Sequence, residues 1–193
     1  MPVKVLCHIG DGIEIRTLHR GLAARIYQMV QADREHLARF LPWVQHTQSM
    51  ADTVRFLAHA REAFLRGEAI HGAIWQENEL VGMMALEVRS PADQMAHIGY
   101  WIGSRAEGKG VVTRALNAFV DYSFTEWDLH RLEIHCATGN ERSCRVAERA
   151  GFQKEGVLRG ARKVNGDFLD MNLYALLKPD WQAMREAARL QRD

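Results

Sequence analysis

Apolar and polar residues alternate through Ile13, Glu14, Ile15, Arg16 and Thr17, the period of a half-buried strand. The period then lengthens, and Leu18, Leu22, Ile26, Met29 and Val30 recur at helical spacing. A second short helical run holds Leu37, Phe40 and Leu41 and stops at Pro42. Ser49 with Asp52 resembles a capping box, and the helix it opens carries Val54, Leu57, Ala60 and Phe64 on one face before Gly67 ends it. Three strand-like segments follow, Ile70–Gln76, Leu80–Val88 and Met95–Ile102. Their short polar connections, Glu77-Asn78-Glu79 and Arg89–Gln94, predict an antiparallel meander.

The second half changes its rhythm. Val112, Leu116, Phe119 and Phe124 form a helical stripe, Leu132–Ala137 a strand, Arg142–Ala150 a short helix and Phe152–Ala161 another strand. Asn165-Gly166 is the strongest hairpin signal in the chain, with Phe168–Leu177 as the answering strand and Pro179–Leu190 as a terminal helix. These elements predict a mixed α/β sheet of seven strands, mostly antiparallel, with a central parallel pair and flanking helices. No repeat, low-complexity tract or linker divides the chain, so residues 1–193 read as one domain.

Composition narrows the picture by exclusion. A net charge of +1 lacks the basic excess of a dedicated nucleic-acid binder. Cys7, Cys136 and Cys144 form no Cys-x-x-Cys pair, which speaks against a disulfide framework and for a reducing, cytoplasmic setting. Residues 1–11 lack the basic start and apolar run of a signal peptide, and no stretch is apolar enough to span a membrane.

The stretch richest in chemistry is Tyr100-Trp101-Ile102-Gly103-Ser104-Arg105-Ala106-Glu107-Gly108-Lys109-Gly110, where a strand ends, glycines cluster and a helix begins. A helix N-terminus offers unpaired N–H groups and positive potential, and glycines admit a phosphate to that backbone. Arg105, Lys109 and Arg114 add charge. A Walker loop would need Ser or Thr after Lys109, where Gly110 stands, and a dinucleotide fingerprint would need glycine at Thr113.

Arg105-x-x-Gly108-x-Gly110 resembles the coenzyme A pyrophosphate motif of the GNAT acetyltransferase superfamily. The likeness continues through Ala96–Ile102, Asn140-Glu141-Arg142-Ser143 and Ala147–Phe152. Leu41-Pro42-Trp43, Glu155–Arg159 and Asn165–Met171 are similar to the RimJ/RimL branch, which acetylates N-termini of ribosomal proteins. The resemblance implies a sheet opened in a V and acetyl-CoA as cosubstrate. It implies a protein N-terminus as acceptor, with a small-molecule amine as the alternative. No metal is expected, since no carboxylate or second cysteine completes a recognisable spacing with His130, His135 and Cys136. A homodimer is compatible with the family, though no feature of the sequence demands it. By resemblance, the backbone of Ile98, Tyr100, Trp101 and Ile102 holds the pantetheine arm, and Arg105, Gly108, Lys109, Gly110 and Val111 hold the pyrophosphate.

Acetyl transfer needs a neutral amine, an aligned thioester, oxyanion stabilisation and a proton for the leaving thiolate. Ser143 is the proton-donor candidate and Asn140 the pantetheine contact, although either could be no more than the cap of the following helix. His97 stands where many relatives carry a glutamate base, and Glu133 is the second base candidate. Gly99 and Gly103 suggest a bulge or a close backbone approach. Trp43 and His71 could line the acceptor pocket or simply pack. A direct transfer is expected rather than an acetyl-cysteine on Cys136, and a non-catalytic acyl-CoA-binding module is the rival from another class.

Overall fold

The alternation read from the sequence becomes strand register in the computed structural model, which describes residues 4–190. Eight strands form one sheet: β1 Val5–Gly10, β2 Ile13–Thr17, β3 Ala69–Gln76, β4 Glu79–Ser90, β5 Met95–Ile102, β6 Arg131–Ala137, β7 Gln153–Val164 and β8 Asp167–Leu177. Their order is β1-β2-β3-β4-β5-β6-β8-β7, and every neighbouring pair is antiparallel except β5 and β6. The sequence predicted seven strands. The eighth, β1, escapes the alternation test because register shifts interrupt its pairing with β2 between Val5 and Cys7 and between His8 and Gly10. The expected single domain of residues 1–193 includes residues 1–3 and 191–193, which lie outside the described residues.

The helices are α1 Ala23–Ala32, α2 Arg34–Ala38, α3 Met50–Leu65, α4 Val111–Glu126, α5 Glu141–Arg149 and α6 Lys178–Leu190. The capping box forms at the head of α3. Ser49 accepts from the Asp52 N–H, and the Asp52 carboxylate accepts from the Ser49 N–H at 2.7 Å. Two apolar clusters cover the two faces of the sheet. On one face, Phe119 and Leu116 of α4 and Ala147 of α5 bury Ile98, Leu132 and Ile134. On the other, Ile26 and Val30 of α1, Leu37 of α2 and Leu57 of α3 pack on Ala73, Trp75 and Met83. The regular β4–β5 register therefore sends Ala96, Ile98 and Tyr100 toward α4 and α5, and His97, Gly99 and Trp101 toward α1–α3.

Two tight turns place the outer parts of the sheet. Glu77 and Asn78 both take left-handed φ between β3 and β4, and Asn165-Gly166 does so between Val164 and Asp167 of the β7–β8 hairpin. The Asn165 amide then reaches across to α2, donating to the Ala38 carbonyl at 3.0 Å and accepting from Gln45. The bulge expected at Gly99 or Gly103 is absent. β4 and β5 pair in register through Gly99, and the register shift lies between Val88 and Ser90. A close approach is present at Gly103, where a Cβ would sit 3.0 Å from Asp33 Oδ2, and a tighter one at Gly82, where it would sit 2.4 Å from the Trp101 carbonyl and 3.0 Å from the Ile102 Cα.

Because those neighbours are backbone, Gly82→Ala cannot be absorbed by a rotamer change. It should destabilise the protein by about 1–3 kcal/mol, read as a lower urea midpoint with an unchanged slope. A midpoint equal to the parent's would show that β5 has room to move.

Candidate active site

β5 and β6 run parallel but exchange ladder positions only at Met95/Arg131, Ala96/Leu132 and His97/Glu133. Beyond His97 the strands part. β5 stays paired to β4 through Ile102, and β6 to β8 through Ala137, so each arm of the V is held by its own antiparallel neighbour. The β5 backbone from Ile98 onward has no strand partner on the β6 side. Those N–H and C=O groups are obligatory hydrogen-bonding groups available to an extended amide chain.

Side chains brace the opening. At the fork, His97 Nε2 accepts from the His135 backbone N–H at 3.3 Å, satisfying a donor that the ladder leaves when the strands separate. Higher in the V, the Tyr100 hydroxyl donates to the Ser143 carbonyl at 3.1 Å and accepts from Ser143 Oγ at 3.1 Å. Ser143 Oγ is 3.2 Å from Cys136 Sγ, and with its own proton given to Tyr100 it accepts from the thiol. Tyr100 thus spans from β5 to α5, and Cys136 ties β6 to the same serine. Burial pushes the Tyr100 phenol well above its ordinary range and the Cys136 thiol up to about 12, so both keep their protons at neutral pH. A thiol so protected makes a poor nucleophile, which disfavours an acetyl-cysteine route.

Past Ile102 the chain turns through Ser104–Ala106 into α4. Gly108 and Gly110 hold left-handed φ of 73° and 72°, and no atom lies within 4 Å of where a Cβ would stand on either. Gly110 is the α4 N-cap, and no side chain caps the first turn. The leading N–H groups of a sixteen-residue helix therefore face open space beside a glycine loop, which fits a pyrophosphate.

This loop, β5, α2 and α5 enclose a cavity of about 560 Å³. α2 is fastened over it twice. The Asp33 carboxylate accepts from the Ser104 N–H at 2.8 Å and from its hydroxyl at 2.6 Å. Glu107 accepts from His36 Nε2 at 2.8 Å and also binds Arg142 of α5.

The structure brings most of the expected residues together. Tyr100, Trp101, Ile102, Gly108, Gly110 and Val111 line the cavity, as do Asn140 and Ser143. Asn140 is the α5 N-cap, its Oδ1 accepting from the Ser143 N–H at 3.2 Å, and it faces the cavity as well, so cap and ligand contact coexist. Ile98 is buried in the core and can contribute backbone only. Arg105 and Lys109 are absent from the cavity wall.

The two expected bases sit at the fork, off the cavity wall. His97 lies on the α1–α3 face with its acceptor nitrogen engaged. Burial, reinforced by the charges of His135, Arg89 and Arg162, holds its pKa at about 3. Such an imidazole is too weak to take a proton from an ammonium near pH 7. Glu133 binds Arg131 Nε at 2.8 Å and His135 Nε2 at 3.1 Å, so both carboxylate oxygens are engaged beside the fork. Of the acceptor-pocket residues, Trp43 packs against Trp101 with ring centroids 5.6 Å apart, and His71 meets the edge of Phe56 at 5.4 Å.

Sequence reading missed the wall made by His36 and Leu37 of α2 with Phe40 and Leu41 just after it, the Glu107 clasp, and Arg142, Arg145 and Arg149 of α5. The arginines had a visible signal, spacing of three and four residues on one helix face. The clasp had none, because Glu107 and His36 are 71 residues apart.

Comparison with known proteins agrees with this geometry. The sequence profile described as an acetyltransferase (GNAT) domain matches residues 13–153. YdaF of Bacillus subtilis (strain 168), provisionally named a ribosomal N-acetyltransferase, is 34% identical over 178 residues, covering 91% of this chain and 97% of its own. The ribosomal-protein-serine acetyltransferase of Escherichia coli (strain K12) is 30% identical over 167 residues, covering 86% of this chain and 93% of its own. Among solved structures, a RimL ribosomal alpha-N-protein acetyltransferase in complex with coenzyme A superposes with a TM-score of 0.86 at 27% identity. It covers 90% of this chain and 98% of that one.

Two outcomes follow for catalysis. Tyr100→Phe and Ser143→Ala should each lower kcat by about 10²-fold while acetyl-CoA still binds, and the double variant should cost little more than either single one. Additive losses in steady-state kinetics would separate the two hydroxyls into independent roles. His97→Gln, whose amide oxygen can still accept from His135, should leave the pH profile of kcat/KM unchanged in shape. The sign for stability is also fixed. The His97 pKa is depressed from 6.5 to about 3, so the unfolded chain takes up the proton first and stability falls as pH drops through that window. His97→Gln should flatten that acid limb in urea titrations, and an unaltered limb would contradict the burial-driven shift.

Proposed function

The chain belongs to the GNAT acetyltransferase family, and we propose that the amine it acetylates is the N-terminal α-amine of a protein, of the ribosomal-protein type that its relatives modify. Acetyl-CoA supplies the activated acetyl group. One sheet that gathers every strand from β1 to β8 supports reading the chain as one acetyltransferase domain. Three free cysteines fit a reducing, cytoplasmic setting.

The observation that carries the acceptor reading is the state of the ionisable groups at the fork. Glu133 is committed to Arg131 and His135, and His97 is a weak, engaged base. The acceptor must therefore reach the site as a neutral amine without a strong base beside it. At pH 7 about a tenth of an α-amine is neutral, against roughly one part in 2,500 of a lysine side chain. Arg89 and Arg162 lie close enough to lower the His97 pKa, and Arg89 is paired with Glu87 at 2.6 Å. A peptide N-terminus brings one amine and extended backbone.

In this reading the unpaired β5 backbone from Ile98 to Ile102 aligns the pantetheine arm and offers N–H donors to the thioester carbonyl. The first turn of α4, with Gly108 and Gly110, holds the pyrophosphate. Asn140 orients the arm near the thioester. Tyr100 and Ser143 keep their protons in a closed chain of donors; one hydroxyl turned toward the sulfur passes a proton to the departing thiolate and regains one from the solvent that takes the proton of the acceptor nitrogen. The acceptor nitrogen arrives from the α1–α3 face, under the clasp between Asn165 and α2, and loses its proton to solvent.

The test is thiol release from acetyl-CoA with unblocked peptides, the same peptides N-terminally blocked, free lysine, spermidine and an aminoglycoside. Unblocked peptides should turn over, blocked ones should not, and mass spectrometry should place the acetyl group on the α-nitrogen. Faster turnover of spermidine or an aminoglycoside would replace the acceptor while leaving the coenzyme site intact.

A further inference from the structure

We propose that Arg145 and Arg149 of α5 recognise the 3′-phosphate of coenzyme A, so that the enzyme distinguishes acetyl-CoA from its 3′-dephospho form. This rests on the acetyl-CoA reading of the cavity and is independent of the acceptor.

Arg142, Arg145 and Arg149 lie within about 60° of one another around the α5 axis, with Val146 beside them, and all four line the cavity. The other faces of the helix are already committed. Cys144 and Ala147 are buried in the core, and Glu148 accepts from the Tyr174 hydroxyl at 2.8 Å. The cavity wall therefore carries three arginines against one carboxylate, Glu107, which is already shared by Arg142 and His36.

The three arginines are not equally free. Arg142 is held at the loop. Arg145 has only an exposed contact with Glu141 at 3.3 Å, a weak i,i+4 pair. Arg149 has no ion-pair partner among the described residues.

The pyrophosphate has its own donors in the first turn of α4. The arginine row runs away from Ser143 along a helix packed beside α4, and Arg149 stands about 10 Å further along the axis than Arg142. Cations at that remove from the pyrophosphate cradle suit a second anion on the same ligand, and coenzyme A carries one on its ribose. Guanidinium forks bind a phosphomonoester through paired, charge-assisted bonds, while Val146 offers apolar contact to the adjoining nucleoside.

Isothermal titration of coenzyme A and of 3′-dephospho-coenzyme A, with no acceptor present, tests this directly. The parent protein should bind coenzyme A at least about tenfold more tightly than the dephospho form. Arg145→Ala and Arg149→Ala should each narrow that ratio by weakening coenzyme A alone, and Arg149→Lys should restore part of it. Retained dephospho-coenzyme A binding certifies that the variants are folded. Equal affinity of the parent for both ligands would overturn the proposal, as would variants that weaken both ligands alike. Neither result would touch the acceptor assignment, which is read from turnover.

Discussion

β5 and β6 share three ladder positions and then separate, although each continues as a strand. Separating two strands inside a sheet strips partners from backbone groups, and the cost is tolerable only where something else bonds them. His97 answers for one group at the fork, and an extended thioester arm fits the run beyond it. What keeps the strands apart is the antiparallel pairing of each with its outer neighbour, together with the Tyr100–Ser143–Cys136 strut between them. The cavity, the coenzyme path and the position of both hydroxyls all depend on that parting.

The cavity offers a coenzyme two kinds of chemistry. Backbone contributes the unpaired β5 amides and the uncapped start of α4. Side chains of α2, Glu107 and the arginine row complete the wall. This division explains why the glycine loop is so legible: its function needs a conformation, and left-handed φ at Gly108 and Gly110 leaves few residue choices. Arg105 and Lys109, which belong to the same motif, lie off the cavity wall.

Charge bookkeeping on the two faces points in one direction. On the coenzyme side, cations outnumber the single carboxylate. On the acceptor side, Glu133 is neutralised and His97 is held uncharged by burial and by nearby cations. A cavity so charged favours an anionic donor.

Periodicity and turn chemistry by themselves determined seven of the eight strands, the capping box at Ser49, the Asn165-Gly166 hairpin and the glycine loop, since each is a local requirement of backbone geometry or burial. The family likeness added the V, the β5 backbone as a binding edge, and Asn140 and Ser143 as site residues, while the Tyr100 hydroxyl bond to Ser143 came only from the structure. Only the tertiary structure decided which face each strand residue took, and it set the His97 ring against the His135 N–H and the Glu133 carboxylate against Arg131 and His135. The same holds for the clasp of Glu107 by His36 and for the reach of Asn165 to α2, contacts between residues 71 and 127 positions apart. Whether a histidine is a base depends on desolvation and on what its lone pair already binds. Those are properties of surroundings assembled from distant segments, and no spacing along the chain encodes them.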